Sequence, residues 1–268
     1  MLPHLHLHLH QVLGRYAALC RQSSFFVGIA HEVATTDVRI GHTLGPNPLG
    51  FHLQHLPDNL TDEAIADGKR GLVSWVVAQS LRELIEQLGE MTQPVFDVGM
   101  QALINAKSLS VEDAQSERES FVKVGLIGKR SMMKRLLKIK MPYGKELESM
   151  NRVRNCMSHR SSIVGREDCD QNSDVLTVSW LGFDSILVFD DGREETFRPP
   201  QIVPEGGATL ALKFMPRTKE FKLGARLNFD AHELSEIIFL FLRAAQGFAD
   251  AFLARAPDLG INRAQAAS

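Results

Sequence analysis

The chain has 268 residues, of which 44% are hydrophobic and 23% are charged, and its formal net charge is −2. This composition is ordinary for a globular protein, and the length suffices for one large or two small domains. A nearly neutral chain lacks the overall basicity of many nucleic-acid-binding proteins, so any such binding must depend on a local patch.

The cysteine and hydropathy patterns favour a cytoplasmic protein. The three cysteines, Cys20, Cys156 and Cys169, have no paired spacing, which indicates free thiols in a reducing compartment. No stretch is expected to reach transmembrane length, because Arg243 interrupts the most apolar run, residues 237–242. The N-terminus also lacks the basic-then-apolar layout of a signal peptide.

The first sixty residues combine a histidine-rich start, a helix and a long connection. Residues 11–33 have helical apolar spacing, and three large apolar residues within them, Phe25, Phe26 and Ile29, are predicted to lie in the core. Residues 35–58 are rich in glycine and proline, which predicts a long connection without a helix. Histidines occur at both ends of this region, namely His4, His6, His8, His10, His42, His52 and His55. Their spacing matches no known metal-site signature, so we expect incidental polar residues, no designed metal site and no cofactor.

Helices dominate the middle of the chain. Thr61 is a suitable N-cap for a helix whose apolar pattern covers residues 64–88. Gly89 is predicted to end that helix, and a second helix is predicted over residues 94–106, opening at its proline. Ser110 caps a third candidate helix with an acidic first turn.

A basic run follows over residues 129–140, with six positive charges and no acid. If the run is helical, Arg130, Lys134 and Lys138 form a ridge at fourfold spacing. A solvated helix face and a track for the RNA backbone are comparably favoured interpretations. The residues that would contact RNA are Lys129, Arg130, Lys134, Arg135 and Lys138.

The most informative stretch is a predicted helix over residues 143–160, which contains Arg154, Asn155 and His159. Asn155 and His159 are four residues apart and share a helix face. Arg154 is five residues before His159, so its long arm would have to curl back to reach the imidazole. A guanidinium that grasps phosphate and a group that titrates near neutrality suffice for phosphodiester cleavage without a metal.

This Arg-Asn-x-x-x-His pattern resembles the HEPN family (higher eukaryotes and prokaryotes nucleotide-binding). The resemblance covers mainly residues 61–165 and the last helix. It implies a metal-independent endoribonuclease that acts on RNA as a homodimer, as in toxins or defence effectors that have an antitoxin partner. His159 would then assist attack by the ribose 2′-OH, Arg154 would stabilise the phosphate, and Asn155 would hold one of them in place.

Strands follow the motif. Apolar and polar residues alternate over residues 175–181, which predicts a strand. Residues 186–189 and 194–197 are predicted to form a hairpin around Asp191-Gly192. Two further strands, 208–214 and 221–229, are predicted to be joined by a turn that begins at Pro216. Asp230 then caps a strongly apolar closing helix.

The predicted class is therefore α+β, mainly α: a HEPN-like helical bundle with a small antiparallel sheet inserted before the last helix. The predicted segments are an N-terminal helix and loop (1–60), a helical core (61–165), a β insertion (166–229), a closing helix (230–256) and a disordered tail (257–268).

The sequence is also compatible with other interpretations. Glu83 or Glu86 on the long helix could orient Arg154, although surface glutamates on an amphipathic helix are the commoner case. The chain could instead be a non-catalytic HEPN-like module that binds RNA, a nucleotide or a protein. A third reading is a scaffold that uses its sheet as a contact surface.

Overall fold

The computed structural model describes residues 7–36, 61–197 and 207–262. Within these ranges the chain is mainly helical with a small antiparallel sheet, which confirms the predicted α+β class. The elements are α1 (Leu9–Thr35), α2 (Asp62–Asn105), α3 (Val111–Lys123), α4 (Leu126–Met132), a π-helical turn (Met133–Leu137), α5 (Gly144–His159), β1 (Val175–Val188), β2 (Glu194–Thr196), β3 (Thr209–Lys222) and α6 (Ala231–Arg255). The histidines at positions 4, 6, 42, 52 and 55, and nearly all of the predicted long connection, lie outside the described residues.

The helix starts predicted from capping residues are confirmed. Thr61 accepts a hydrogen bond from the Ala64 N–H at 3.2 Å, and Ser110 accepts one from the Asp113 N–H at 3.0 Å. These side chains satisfy backbone donors that a helix leaves unpaired in its first turn.

The predicted break at Gly89 is wrong, because α2 runs without interruption through both Gly89 and Pro94. An internal proline costs about 3 kcal/mol through its missing N–H and its steric clash. That cost is offset because Val95 and Phe96, just beyond it, are fully buried, and each such side chain contributes about 1.5–3 kcal/mol. The buried Thr92 hydroxyl on the preceding turn is satisfied, because it donates to the Gly89 carbonyl at 2.6 Å.

Helix α2 is the central element of the bundle and packs against α1, α3, α5 and α6. The Phe96 ring stacks on Phe121 of α3 with the ring centroids 3.9 Å apart. The prediction that Phe25, Phe26 and Ile29 lie in the core is wrong, because 64%, 48% and 47% of their surfaces are exposed. Helical spacing assigned these residues to one face, but no neighbouring element in the described part of the chain covers that face.

Strand β1 is the middle strand of the sheet, with β2 on one side and β3 on the other. The predicted hairpin between β1 and β2 is confirmed, and Gly192 at its tip has a φ of +81°. The predicted turn at Pro216 is wrong, because β3 is continuous from Thr209 to Lys222 with Pro216 opposite Leu181. An edge strand tolerates proline when the missing N–H would have pointed away from its neighbour.

Helix α6 closes the bundle. The Asp230 cap is confirmed, and Asp230 forms a reciprocal capping box with Glu233. By length and hydropathy α6 could span a membrane, contrary to the expectation that no stretch is long enough. Its most apolar residues are nevertheless buried against the other elements, including Leu240, Phe241, Ala244, Ala245 and Phe248. The tail begins with a short 3₁₀ turn over Pro257–Leu259, which the prediction of a disordered tail did not include.

A buried carboxylate joins α6 to the sheet. Glu236 is 1% exposed and accepts hydrogen bonds from the Trp180 indole at 2.7 Å and the Phe183 N–H at 2.9 Å, both on β1. Arg217 of β3 adds two longer contacts at 3.4 Å. A buried charge is tolerated when it is paired and hydrogen-bonded in this way.

We expect Glu236→Ala to lower the free energy of unfolding by roughly 2–4 kcal/mol, because it leaves the N–H donors of Trp180 and Phe183 without an acceptor, whereas Arg217 keeps its pair with Asp184. Urea denaturation measures this change. The matched control is Glu220→Ala, at an exposed position of β3. A loss for Glu236→Ala no larger than that of the control would contradict the assigned role.

Candidate active site

Helix α5 carries all three motif residues, as predicted. It is fixed on one side by α2 and on the other by β1. Ser149 accepts a hydrogen bond from the Ser179 N–H at 2.8 Å, and Arg152 donates to the Thr177 carbonyl at 3.0 Å. The buried face of the helix consists of Leu147, Ser149, Met150, Val153, Cys156 and Met157. The motif therefore sits on a rigid element with a defined outward face.

Arg154 lies at the edge of the buried face and is half-buried. Its Nη2 donates to the Asn151 side-chain oxygen at 3.1 Å, one turn towards the start of the helix. Its Nε is buried and has no partner among the described residues. The arginine arm therefore extends away from His159, and the predicted curl towards the imidazole does not occur within one chain.

His159 is the last residue of α5 and is exposed. In the described part of the chain its imidazole makes no hydrogen bond, and neither does the side chain of Asn155, which shares its face. Asn155 therefore holds neither Arg154 nor His159 in this structure, and Asn151 holds Arg154 instead. The sequence contained the signal for Asn151, because residues three apart are neighbours on a helix.

The loop after His159 is fixed by a buried ion pair. Arg160 donates from Nε to Asp168 at 2.7 Å and from a second nitrogen to the other carboxylate oxygen. The Gly165 N–H donates to the same carboxylate at 2.9 Å. Asp168 is 2% exposed. This pair fixes the end of α5 and the loop that follows His159.

Burial raises the pKa of the Asp168 carboxyl, but the hydrogen bonds from Arg160 and Gly165 outweigh it and hold the pKa below its usual value. Cys156 lies beside this pair, and burial and the Asp168 charge raise the pKa of its thiol to about 12. The thiol is therefore protonated at neutral pH, which agrees with its predicted role as a small packing residue.

The basic run is not the helical ridge that its spacing predicted. Helix α4 passes into the π-helical turn at Met133, and Lys138 ends that turn in the left-handed region with a φ of +59°. Lys129 is buried, and its ammonium donates to Glu90 at 2.8 Å and lies over the Phe121 ring. Lys129 is therefore not available to contact RNA, which corrects that prediction.

The other four predicted RNA-binding residues lie nearer the surface. Arg135 makes a two-bond pair with Glu117, at 3.0 and 2.7 Å. Arg130 donates at 3.2 Å both to Glu148 and to the Gly144 carbonyl. Lys134 and Lys138 are exposed.

This basic segment lies against the start of α5, whereas Arg154 and His159 lie in its second half. The two groups of residues are therefore adjacent in sequence but separated along the helix.

Neither of the glutamates considered as partners of Arg154 forms an ion pair with it in the described part of the chain. Glu86 pairs with Arg82 at 2.9 Å, and Glu83 faces the groove between α1 and α2. Within residues 7–36, 61–197 and 207–262, the side chains of histidine, cysteine, aspartate and glutamate form no cluster suited to a metal ion.

Comparison of this chain with models of protein families, with curated proteins and with solved structures found no match.

We expect Asp168→Asn to lower stability at neutral pH, because the native carboxylate has a depressed pKa and a paired partner. The wild-type contribution is fully present above the unfolded-state pKa of about 4, and is lost as the pH falls through the lower native-state value. Unfolding curves of the two proteins between pH 7 and pH 2 should therefore converge in acid. A difference in stability that stays constant with pH would contradict this.

Proposed function

We propose that this chain is a metal-independent endoribonuclease of the HEPN type, which acts as a homodimer with composite active sites. The observation that carries the proposal is the arrangement of Arg154 and His159 on α5. One helix presents a half-buried guanidinium and an exposed imidazole, separated by about 7.5 Å of helical rise. These two groups can perform the reaction, but their side chains extend in different directions within one chain.

A second copy of the chain could bring an Arg154 side chain next to a His159 side chain. If two α5 helices face each other antiparallel across a two-fold axis, Arg154 of one protomer comes next to His159 of its partner. The same symmetry creates a second, identical site. The half-buried position of Arg154 at the edge of the helix face and the exposed position of His159 suit a site completed by a facing surface.

The reaction follows from the chemistry of the two groups. His159 accepts the proton of a ribose 2′-OH, and the 2′-oxygen attacks the adjacent phosphorus. Arg154 donates to the phosphate oxygens and stabilises the charge that develops on them. The 5′-oxygen of the next nucleotide leaves with a proton, so the products are a 2′,3′-cyclic phosphate and a 5′-hydroxyl. DNA is not cleaved, because it lacks the attacking hydroxyl.

We expect His159→Ala and Arg154→Ala each to reduce RNA cleavage by a factor on the order of 10²–10⁴, since each removes a group that acts in the transition state. The assay contains EDTA and analyses the ends of the products. Ser158→Ala, at the exposed neighbouring position, is the matched control. Circular dichroism checks that each variant is folded, and full activity of both motif variants would refute the proposal.

Mixing the two inactive variants tests the composite site directly. A heterodimer of Arg154→Ala and His159→Ala chains has one intact site and one doubly altered site. When equal amounts of the two variants are refolded together, half of the dimers are heterodimers, and each of these has one intact site out of two. We therefore expect roughly a quarter of the wild-type activity. A mixture as inactive as its components would mean that each site is built within one chain.

A non-catalytic RNA-binding module is the second candidate. It is favoured by the lack of any contact between Arg154, Asn155 and His159 in the single chain, together with exposed lysines away from the motif. RNA binding by the wild type without cleavage of any tested RNA would select this reading.

A further inference from the structure

A lysine-lined cleft lies between the π-helical turn and the start of α5. It consists of two adjoining cavities of about 560 Å³ each, which share Ser131, Lys134 and Lys140. The basic side chains around the two cavities are Arg130, Lys134, Arg135, Lys138, Lys140 and Lys145. Two of them, Lys140 and Lys145, were not among the predicted RNA-binding residues.

The charge of this cleft is only partly neutralised. Glu148 pairs with Arg130, and Glu117 pairs with Arg135. The four remaining cations are lysines, at positions 134, 138, 140 and 145, and all are exposed. Among the described residues none of these lysines has a carboxylate within ion-pair distance, and Glu146 is the one unpaired acid on the cleft wall. A chain of net charge −2 therefore concentrates positive charge at this place.

The backbone that carries these lysines is held in a fixed, uncommon conformation. Lys138 and Tyr143 both have left-handed φ values, of +59° and +55°. Between them, Ile139 and Met141 are buried, so Lys138 and Lys140 both extend outward. Such conformations persist only when the surroundings enforce them, and they concentrate at ligand-binding sites.

The closing helix enforces this conformation from behind. Arg255 donates to the Leu137 carbonyl at 3.3 Å. Gly247 approaches Pro142 so closely that an added Cβ would lie 2.7 Å from the proline ring. The lysines of this segment therefore extend from a backbone that α6 supports.

We propose that this cleft binds the phosphate backbone of single-stranded RNA, away from the bond that is cut. Lysine ammonium groups contact phosphates as point charges and carry no base specificity. Sites for small molecules are mostly apolar and enclosed, whereas this cleft is lined mainly by charged and polar residues. Tyr143 on its wall offers an aromatic surface on which a base can stack.

If the chain is the proposed ribonuclease, the distance between the cleft and the motif residues sets a minimum length for its RNA substrate. Lys145 is nine residues before Arg154 and fourteen before His159 on the same helix, which corresponds to about 14 and 21 Å. A stacked strand that rises about 3.4 Å per nucleotide covers this distance in roughly four to six nucleotides. RNA that reaches both places must therefore extend at least that far from the scissile phosphate.

Binding is tested separately from cleavage, in the His159→Ala background. The cleft variant carries Lys134→Gln, Lys140→Gln and Lys145→Gln. Its matched control carries Lys107→Gln, Lys123→Gln and Lys222→Gln, which removes the same charge from exposed lysines elsewhere. Fluorescence anisotropy with labelled single-stranded RNA of about four and about twelve nucleotides measures affinity at several salt concentrations. Thermal unfolding verifies that both triple variants are folded.

We expect the cleft variant to bind the longer RNA on the order of tenfold more weakly than the control. The slope of log affinity against log salt concentration should also become shallower, by an amount that corresponds to about two phosphate contacts. Equal affinities of the cleft and control variants would overturn the proposal. Equal binding of the short and long RNAs to the parent protein would overturn it too, and would indicate a site for a small anion.

The same RNAs separate this proposal from the ribonuclease proposal. If the wild type cleaves nothing but the cleft variant loses binding, the RNA-binding cleft stands and the catalytic proposal fails. If the wild type cleaves but the cleft variant binds as well as the control, the cleft proposal alone fails.

Discussion

The arrangement of the sheet on the helical bundle depends on the burial of the Glu236 carboxylate. A carboxylate loses most of its hydration when it is buried, and that cost is recovered only if donors surround it. Here the donors come from two strands: the indole of Trp180, the N–H of Phe183 and the guanidinium of Arg217. Because these donors are fixed in the sheet and the acceptor is fixed on α6, only one relative placement of sheet and helix satisfies all of them. The interaction thus selects a specific packing among the many that would bury similar apolar area.

The orientation of α5, which carries Arg154, Asn155 and His159, depends on this packing of the sheet on the helical bundle. Helix α5 lies between the long helix α2 and strand β1, and the side chains of Ser149 and Arg152 fasten it to backbone groups of β1. The outward position of His159 on α5 therefore depends on the whole fold, and the pair of Arg160 and Asp168 fixes the loop that follows the helix. Of the three motif side chains, Arg154 is held by Asn151, whereas those of Asn155 and His159 make no hydrogen bond among the described residues.

The sequence predicted what depends on local chemistry and missed what depends on tertiary neighbours. The caps at Thr61, Ser110 and Asp230 were predictable because the acceptor and donor lie within one turn of each other. Pro94 and Pro216 were misread as breaks, since their tolerance depends on packing around α2 and on which side of an edge strand faces outward. In the site, the helix that carries the motif residues was predictable from spacing. The burial of Lys129 was not, because its partner Glu90 is 39 residues away.

The contacts of α6 with the lysine-bearing segment have a consequence for protein synthesis. Arg255 and Gly247, which support that segment, are made more than a hundred residues after the lysines themselves. Chains emerge from the ribosome N-terminus first, and a domain folds only when its interacting parts are present. A nascent chain that has not yet exposed α6 therefore holds neither the cleft nor the sheet in its final geometry.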